Sequence, residues 1–252
     1  MSAVDANACG ILLISTEADL PRFQALLGDG ATWGISISYA VQPSPDGLAQ
    51  AYIIGEDFIA EQPSALILGD NVFYGDRLAR FFADAIEEMR GGTVFAYRVD
   101  DPQRYGVIEF DATKRAISVE EKPLNPRSNW AVTGLCFFDG QAPTIARGLR
   151  PSARGELEIT DVIRHYLDTN TLSVETLGRG VAWLDTGTPE SLLEAAEFVR
   201  ILEKRQGFKI AYPEEIAFRQ GFIDRTALEA LAGAYGRNDY GTYLRRIASG
   251  AI

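Results

Sequence analysis

Short apolar runs alternate with helical spacings over the first hundred residues. Gly10 to Ser15 reads as a strand, and Ala18 to Leu27 as a helix with Leu20, Phe23 and Leu27 on one face. Ile35, Ile37, Tyr39 and Val41 alternate as in a half-buried strand, and Gly47 to Ile59 reads as a helix. Ala65 to Leu68 is a short apolar strand. Leu78, Phe81, Phe82, Ala85, Ile86 and Met89 then fall on helical spacing, before a strand at Thr93 to Val99. Strands separated by helices predict βαβ crossovers, hence a mostly parallel sheet whose ligands lie beyond the carboxyl ends of the strands.

The middle of the chain breaks that rhythm. Gly106 to Phe110 and Ala116 to Glu120 flank the turn DATKR as a hairpin, and Trp130 to Phe138 is a longer strand, so antiparallel additions are expected here. Glu156 to Leu167 reads as a helix, followed by strands at Leu172 to Leu177 and Val181 to Leu184. Thr188 can cap the next helix with Pro189 at its first position, and Leu192, Ala196, Val199 and Leu202 are expected to form its buried stripe before Gly207 ends it. From Phe208 onward the pattern is helical and rich in Arg and Tyr. The expected organisation is a main domain over 1–207 and a C-terminal helical subdomain over 208–252.

Composition narrows the partners. A net charge of −11 over 252 residues argues against a nucleic-acid backbone or an anionic membrane as the main partner, so any phosphate must be met by local cations. Lysines are few (Lys114, Lys122, Lys204 and Lys209), which limits the candidates for lysine chemistry. Cys9 and Cys136 have no Cys or His at zinc-ligand spacing and read as free thiols. No secretory h-region follows Met1 and no apolar run approaches the roughly 20 residues of a membrane span, so a cytoplasmic protein is expected.

Four stretches carry candidate chemistry. Asp70 in ALILGDN and Asp185 in VAWLDTGT each stand directly after an apolar strand. Two such carboxylates on neighbouring strand ends can share a Mg²⁺ that completes its shell with water and substrate phosphates. Either alone also fits a turn former or a helix cap. In QPSPDGLAQA, Gln42 offers an amide for a base edge and Gly47 lets a flat group approach the backbone, although the stretch also fits a plain proline-rich loop. In RYGVIEFD followed by VEEKP, Tyr105 and Gly106 open one strand while Glu121 and Lys122 end its partner, placing a carboxylate for sugar hydroxyls beside an ammonium for a phosphate. Read without context, EEK also fits a solvated face. No dinucleotide fingerprint, Walker loop or D-x-D is present, and the lone His165 reads as a surface residue.

In this order, QPSPDGLAQA, LILGDNVFYGD, RYGVIEFD, EEKPLNPRSNWAVTGL, ARGELEITDV, AWLDTGTPESLLEA, LEKRQGFKIAYPEEIAFRQGFID and the Arg/Tyr-rich C-terminal helix closely resemble the glucose-1-phosphate thymidylyltransferase (dTDP-glucose pyrophosphorylase) family, from Gly10 to the end of the chain. The resemblance implies an α/β, Rossmann-like nucleotidyltransferase fold, a mostly parallel mixed sheet with antiparallel additions. It implies that glucose 1-phosphate attacks the α-phosphorus of dTTP, giving dTDP-glucose and pyrophosphate. By resemblance, Asp70 and Asp185 are the Mg²⁺ ligands, and Gln42, Gly47 and Leu48 meet the thymine. Tyr105, Gly106, Glu121 and Val132 meet the sugar, and Lys122 clamps its phosphate. A homo-oligomer, a tetramer in the family, is also implied.

Two departures from the family pattern stand out. Cys136 occupies a sugar-pocket position where the family carries tyrosine. The N-terminal βα unit, with its G-G-S-G-T-R-L loop and K-Q-L-L-P stretch, has no counterpart: before Gln42 the chain has no lysine and only Arg22. Fewer counter-charges on the triphosphate predict slower transfer, and a lost central strand predicts a less stable sheet. A second reading therefore stays open, a non-catalytic sugar-nucleotide-binding or regulatory paralogue that assembles with a full-length enzyme.

Overall fold

The computed structural model describes residues 10–252. The readings of Cys9 and of the stretch before Gly10 lie outside the described residues. In chain order the elements begin with β1 (Gly10–Ser15), α1 (Leu20–Leu27), β2 (Ser36–Val41), α2 (Gln50–Ile54), α3 (Glu56–Ile59), β3 (Ser64–Ile67) and β4 (Asn71–Gly75). There follow α4 (Leu78–Glu87), β5 (Gly92–Arg98), β6 (Gly106–Phe110), β7 (Ala116–Glu121), β8 (Trp130–Phe138), α5 (Ala142–Gly148) and α6 (Ile159–Asp168). The chain ends through β9 (Leu172–Thr176), β10 (Val181–Asp185), α7 (Pro189–Gln206), α8 (Pro213–Arg219), α9 (Arg225–Ala234) and α10 (Asp239–Ala248). No helix among the described residues is long and apolar enough to cross a membrane.

The chain divides into two compact units, one up to Pro43 together with Val199–Ile252, the other Ser44–Phe198. In the first, β1 and β2 pair in parallel, Gly10 opposite Ser36. Its helices α8, α9 and α10 close around Leu228, Leu244 and Ile247. Asp224 and Asn238 cap α9 and α10 by accepting from Ala227 N and Gly241 N, each at 2.8 Å. The fully buried Glu214 accepts from the hydroxyls of Tyr235, at 2.8 Å, and Tyr240.

The second unit is built on a six-stranded mixed sheet ordered β7-β6-β8-β5-β9, with β3 also on β8. The nine-residue β8 runs antiparallel to three neighbours. Its C-terminal half lies between β3 and β5, and its N-terminal half between β6 and β5. The parallel bias expected from alternating strands and helices therefore holds only at β1–β2 and β5–β9. The reason is that β3 and β5 are not neighbours: β8, from later in the chain, separates them.

Buried on both faces, β5 sorts its side chains by the two-residue period of a strand. Val94 enters one core with Ile108, Cys136, Phe138 and Ile163. Phe95 enters the other, against Phe137 at 5.2 Å between ring centroids and Phe82 of α4 at 4.9 Å.

Three local expectations are corrected. The helix read over Gly47 to Ile59 is two pieces, α2 and α3, broken at Gly55. On α7, Leu192 is 57% exposed and Ala196 is exposed, and Val199 and Leu202 are half-buried, so the expected stripe is not a buried seam. The strand β4 was not read at all, because the motif around Asp70 looked like a strand end leading straight into a helix.

Replacing Phe95 by Ala, which empties the junction of β5, β8 and α4, is expected to destabilise the protein by about 3–5 kcal/mol in urea unfolding.

Candidate active site

The two aspartates meet through the strand that sequence reading missed. β4 pairs antiparallel with β10 in the register Asn71 opposite Asp185, so the start of one strand lies beside the end of the other. Asp70 and Asp185 are thus adjacent through an antiparallel pair. The Asp70 carbonyl accepts from Thr186 N at 2.9 Å and Thr186 Oγ1 at 2.8 Å, fixing the junction. Both carboxylates face Gly187: a Cβ placed there would lie 3.0 Å from Asp185 Oδ1 and 3.4 Å from Asp70 Oδ2. The space between them is kept open by the missing side chain.

Asn71 orients this pair. Its Oδ1 accepts from Gly134 N of β8 at 3.0 Å and from Trp183 Nε1 of β10 at 2.6 Å. That fixes the amide, and its Nδ2 then donates to Asp70 Oδ1 at 2.7 Å. Among the described residues no group of three or more His, Cys, Asp or Glu gathers in metal-binding fashion. A cation here would have two carboxylates and otherwise water and substrate oxygens, the coordination Mg²⁺ accepts.

The aspartates border a cavity of about 200 Å³ that the ends of the β6–β7 hairpin also line. Gly106 pairs with Glu121, and Lys122 N donates to the Tyr105 carbonyl at 3.0 Å, so the hairpin ends bring Tyr105, Gly106, Glu121 and Lys122 to one place. Lys122 adopts φ 41°. This left-handed conformation costs a non-glycine residue on the order of 1–2 kcal/mol and is held here by its neighbours. Leu48, Val132 and Cys136 add apolar surface. Thr133 and Thr160 also line the cavity with buried hydroxyls, that of Thr133 having no hydrogen-bond partner among the described residues. Neither threonine carried a sequence signal, because an isolated threonine in a strand or helix reads as structure.

Electrostatics separates these groups. Burial and the negative charge of Glu158 hold the Glu121 carboxyl above its ordinary range, against the downward pull of Thr160, Lys122 and Arg154. Burial pushes the Tyr105 phenol up to about 12, and the Cys136 thiol to about 12, so both stay neutral at physiological pH. The cations on the lining are Arg104 and Lys122.

Gly47 takes φ 107°, and a Cβ on it would lie 2.3 Å from the Leu157 carbonyl. The backbone that comes close to this glycine is therefore that of Leu157. Gln42 belongs to the other compact unit. His165 is exposed, as read.

Residues 2–201 match the family model for nucleotidyl transferases. The chain is 56% identical over 243 residues to the glucose-1-phosphate thymidylyltransferase of Xanthomonas campestris pv. campestris, covering 96% of this chain and 82% of that one. The chain belongs to the glucose-1-phosphate thymidylyltransferase family of nucleotidyl transferases. The corresponding Mycobacterium tuberculosis enzyme is 53% identical over 234 residues, covering 93% of this chain and 81% of its own. A Bacillus anthracis relative crystallised with sucrose superposes with a TM-score of 0.71 at 33% identity, over 81% of this chain and 78% of that one. UDP-glucose pyrophosphorylase complexed with UDP-glucose superposes at 0.63 with 20% identity, over 75% and 80%, a likeness of fold.

Asn71→Ala leaves the Gly134 and Trp183 donors unpaired. It is expected to lower stability by about 1–3 kcal/mol, read as a shift in the urea midpoint with an unchanged slope.

Proposed function

We infer that this family member transfers the thymidylyl group of dTTP to glucose 1-phosphate, releasing pyrophosphate. The observation that carries the reading is the convergence of Asp70 and Asp185 on the open space at Gly187, beside a hairpin that presents Glu121 and Lys122. An anionic sugar phosphate attacking an anionic triphosphate needs positioning and charge neutralisation rather than a covalent nucleophile.

In this reading Glu121, ionised, accepts from sugar hydroxyls, Gly106 and Val132 shape that wall, and Tyr105 stays a neutral donor. The Lys122 ammonium holds the sugar phosphate, the oxygen of which attacks the α-phosphorus in line with departing pyrophosphate. Gly47 and Leu48 are assigned to the thymine. Asp70 and Asp185 would hold a Mg²⁺, whose bound charge draws the reacting phosphates together and offsets the charge developing between them. Asn71 keeps Asp70 aimed. Homo-oligomerisation is part of the same reading, and light scattering measures it.

The test is pyrophosphate release from dTTP and glucose 1-phosphate with Mg²⁺. Turnover by the chain, lowered about 100-fold or more in Asp70→Asn and in Asp185→Asn without loss of the cooperative thermal melt, is the expected result. Binding of dTTP and dTDP-glucose in calorimetry with no turnover would replace it by the non-catalytic reading.

Glu121→Gln is expected to abolish most turnover while leaving the melting temperature at pH 7 unchanged or higher. A carboxyl whose folded pKa is raised binds more protons folded than unfolded, so its contribution to stability falls as pH rises from the ordinary carboxylate range through the folded value. The wild type should therefore lose stability relative to Glu121→Gln over that window. Parallel pH–stability curves would refute the assignment of a raised pKa.

A further inference from the structure

Arg104 is the cavity-lining cation with no part in the reading above. It closes the short turn Pro102–Arg104 that leads into β6. Its Nη1 donates to Asp101 Oδ2 at 3.1 Å, its Nη2 lies 3.6 Å from Asp185 Oδ2, and its guanidinium carbon sits 5.3 Å from the centre of the Tyr105 ring. Tyr105 packs in turn on Trp183 of β10 at 5.1 Å. The guanidinium is thus held on one face by a ring and on its edge by two carboxylates.

Asp185 Oδ1 accepts from Gly187 N at 3.0 Å, the Tyr105 hydroxyl also hydrogen-bonds this carboxylate, and Oδ2 is the oxygen that faces Arg104. Arg104 also borders a second cavity, of about 340 Å³, which it shares with Asp185 and with Thr188, Glu190 and Ser191. A guanidinium leaving Asp185 has room beside it.

We propose that Arg104 is a positioning residue that competes with the divalent cation for Asp185 Oδ2. This rests on the reading of Asp70 and Asp185 as the cation's ligands. In the absence of the cation Arg104 neutralises and orients Asp185. When the cation is present the guanidinium must give up that oxygen, so affinity for the bare cation is lower than the two carboxylates alone would give. The side chain is 41% exposed, which screens the pair and keeps the effect moderate.

Mn²⁺ alone, titrated into the full chain and followed by the electron paramagnetic resonance of the free ion, tests this. Arg104→Met and Arg104→Gln, the second guarding against disturbed packing on Tyr105, are each expected to bind Mn²⁺ about twofold to fivefold more tightly than the wild type. Arg127→Met, which removes an equal charge paired with Glu109 at 3.6 Å, should not change it. Asp185→Asn should weaken Mn²⁺ binding. If it does, and neither Arg104 variant tightens binding, or Arg127→Met tightens it as much, the competition is refuted while the cation site stands. If Asp185→Asn binds Mn²⁺ as the wild type does, the site and the competition fall together.

Discussion

The site depends on one antiparallel pairing, that of β4 with β10, and on the asparagine that locks it. Asn71 stands opposite Asp185 in the ladder, and its amide accepts from the backbone of β8 and the indole of β10 before donating to Asp70. Three strands are thereby referred to one planar group with a fixed orientation. The positions of both aspartates follow from it: Asp70 as its neighbour in sequence, Asp185 as its partner across the pair. A one-residue slip of β4 would turn these side chains to the opposite face and separate the carboxylates.

Charge sets the second constraint. The protein as a whole carries −11, and the cavity gathers Asp70, Glu121 and Asp185 against Arg104 and Lys122. Anionic substrates approaching such a surface gain nothing from the overall field, so attraction must be local and directed. The hairpin carries its own cation there, Lys122, held in an uncommon backbone conformation, whereas the paired aspartates would attract an anion only through a cation held between them. Half-buried Tyr105 and buried Cys136 stay neutral, which limits the charge to groups that can use it.

What was legible in sequence follows contact distance along the chain. Tyr105, Gly106, Glu121 and Lys122 meet in a hairpin, whose partners lie within about sixteen positions and whose turn residues announce it. The grouping of Asp70 with Asp185 on neighbouring strand ends is an expectation from residue type, whereas the antiparallel pair of β4 with β10 that joins them has no signal in the sequence. Asn71 and Trp183, which tie the two strands together, are 112 positions apart, and the five residues of β4 have no periodicity to betray a strand. Arg104 was passed over for a related reason: an arginine in a turn reads as solvated until the fold shows it between two carboxylates and a ring. The apolar positions of α7 fit helical spacing, yet spacing says which residues share a face, not what that face meets.

The sequence by itself determined the order of most strands and helices, the hairpin with its carboxylate and ammonium, the scarcity of lysine and, through its ordered motifs, the family. These are properties of local pattern and of residue type. Tertiary structure alone decided that the sheet is more antiparallel than parallel, that Gly47 is packed against Leu157, that Asn71 aims Asp70, and that Arg104 occupies Asp185. Each of those depends on pairing between distant segments, whose register is set by burial and hydrogen bonding that no window along the chain contains.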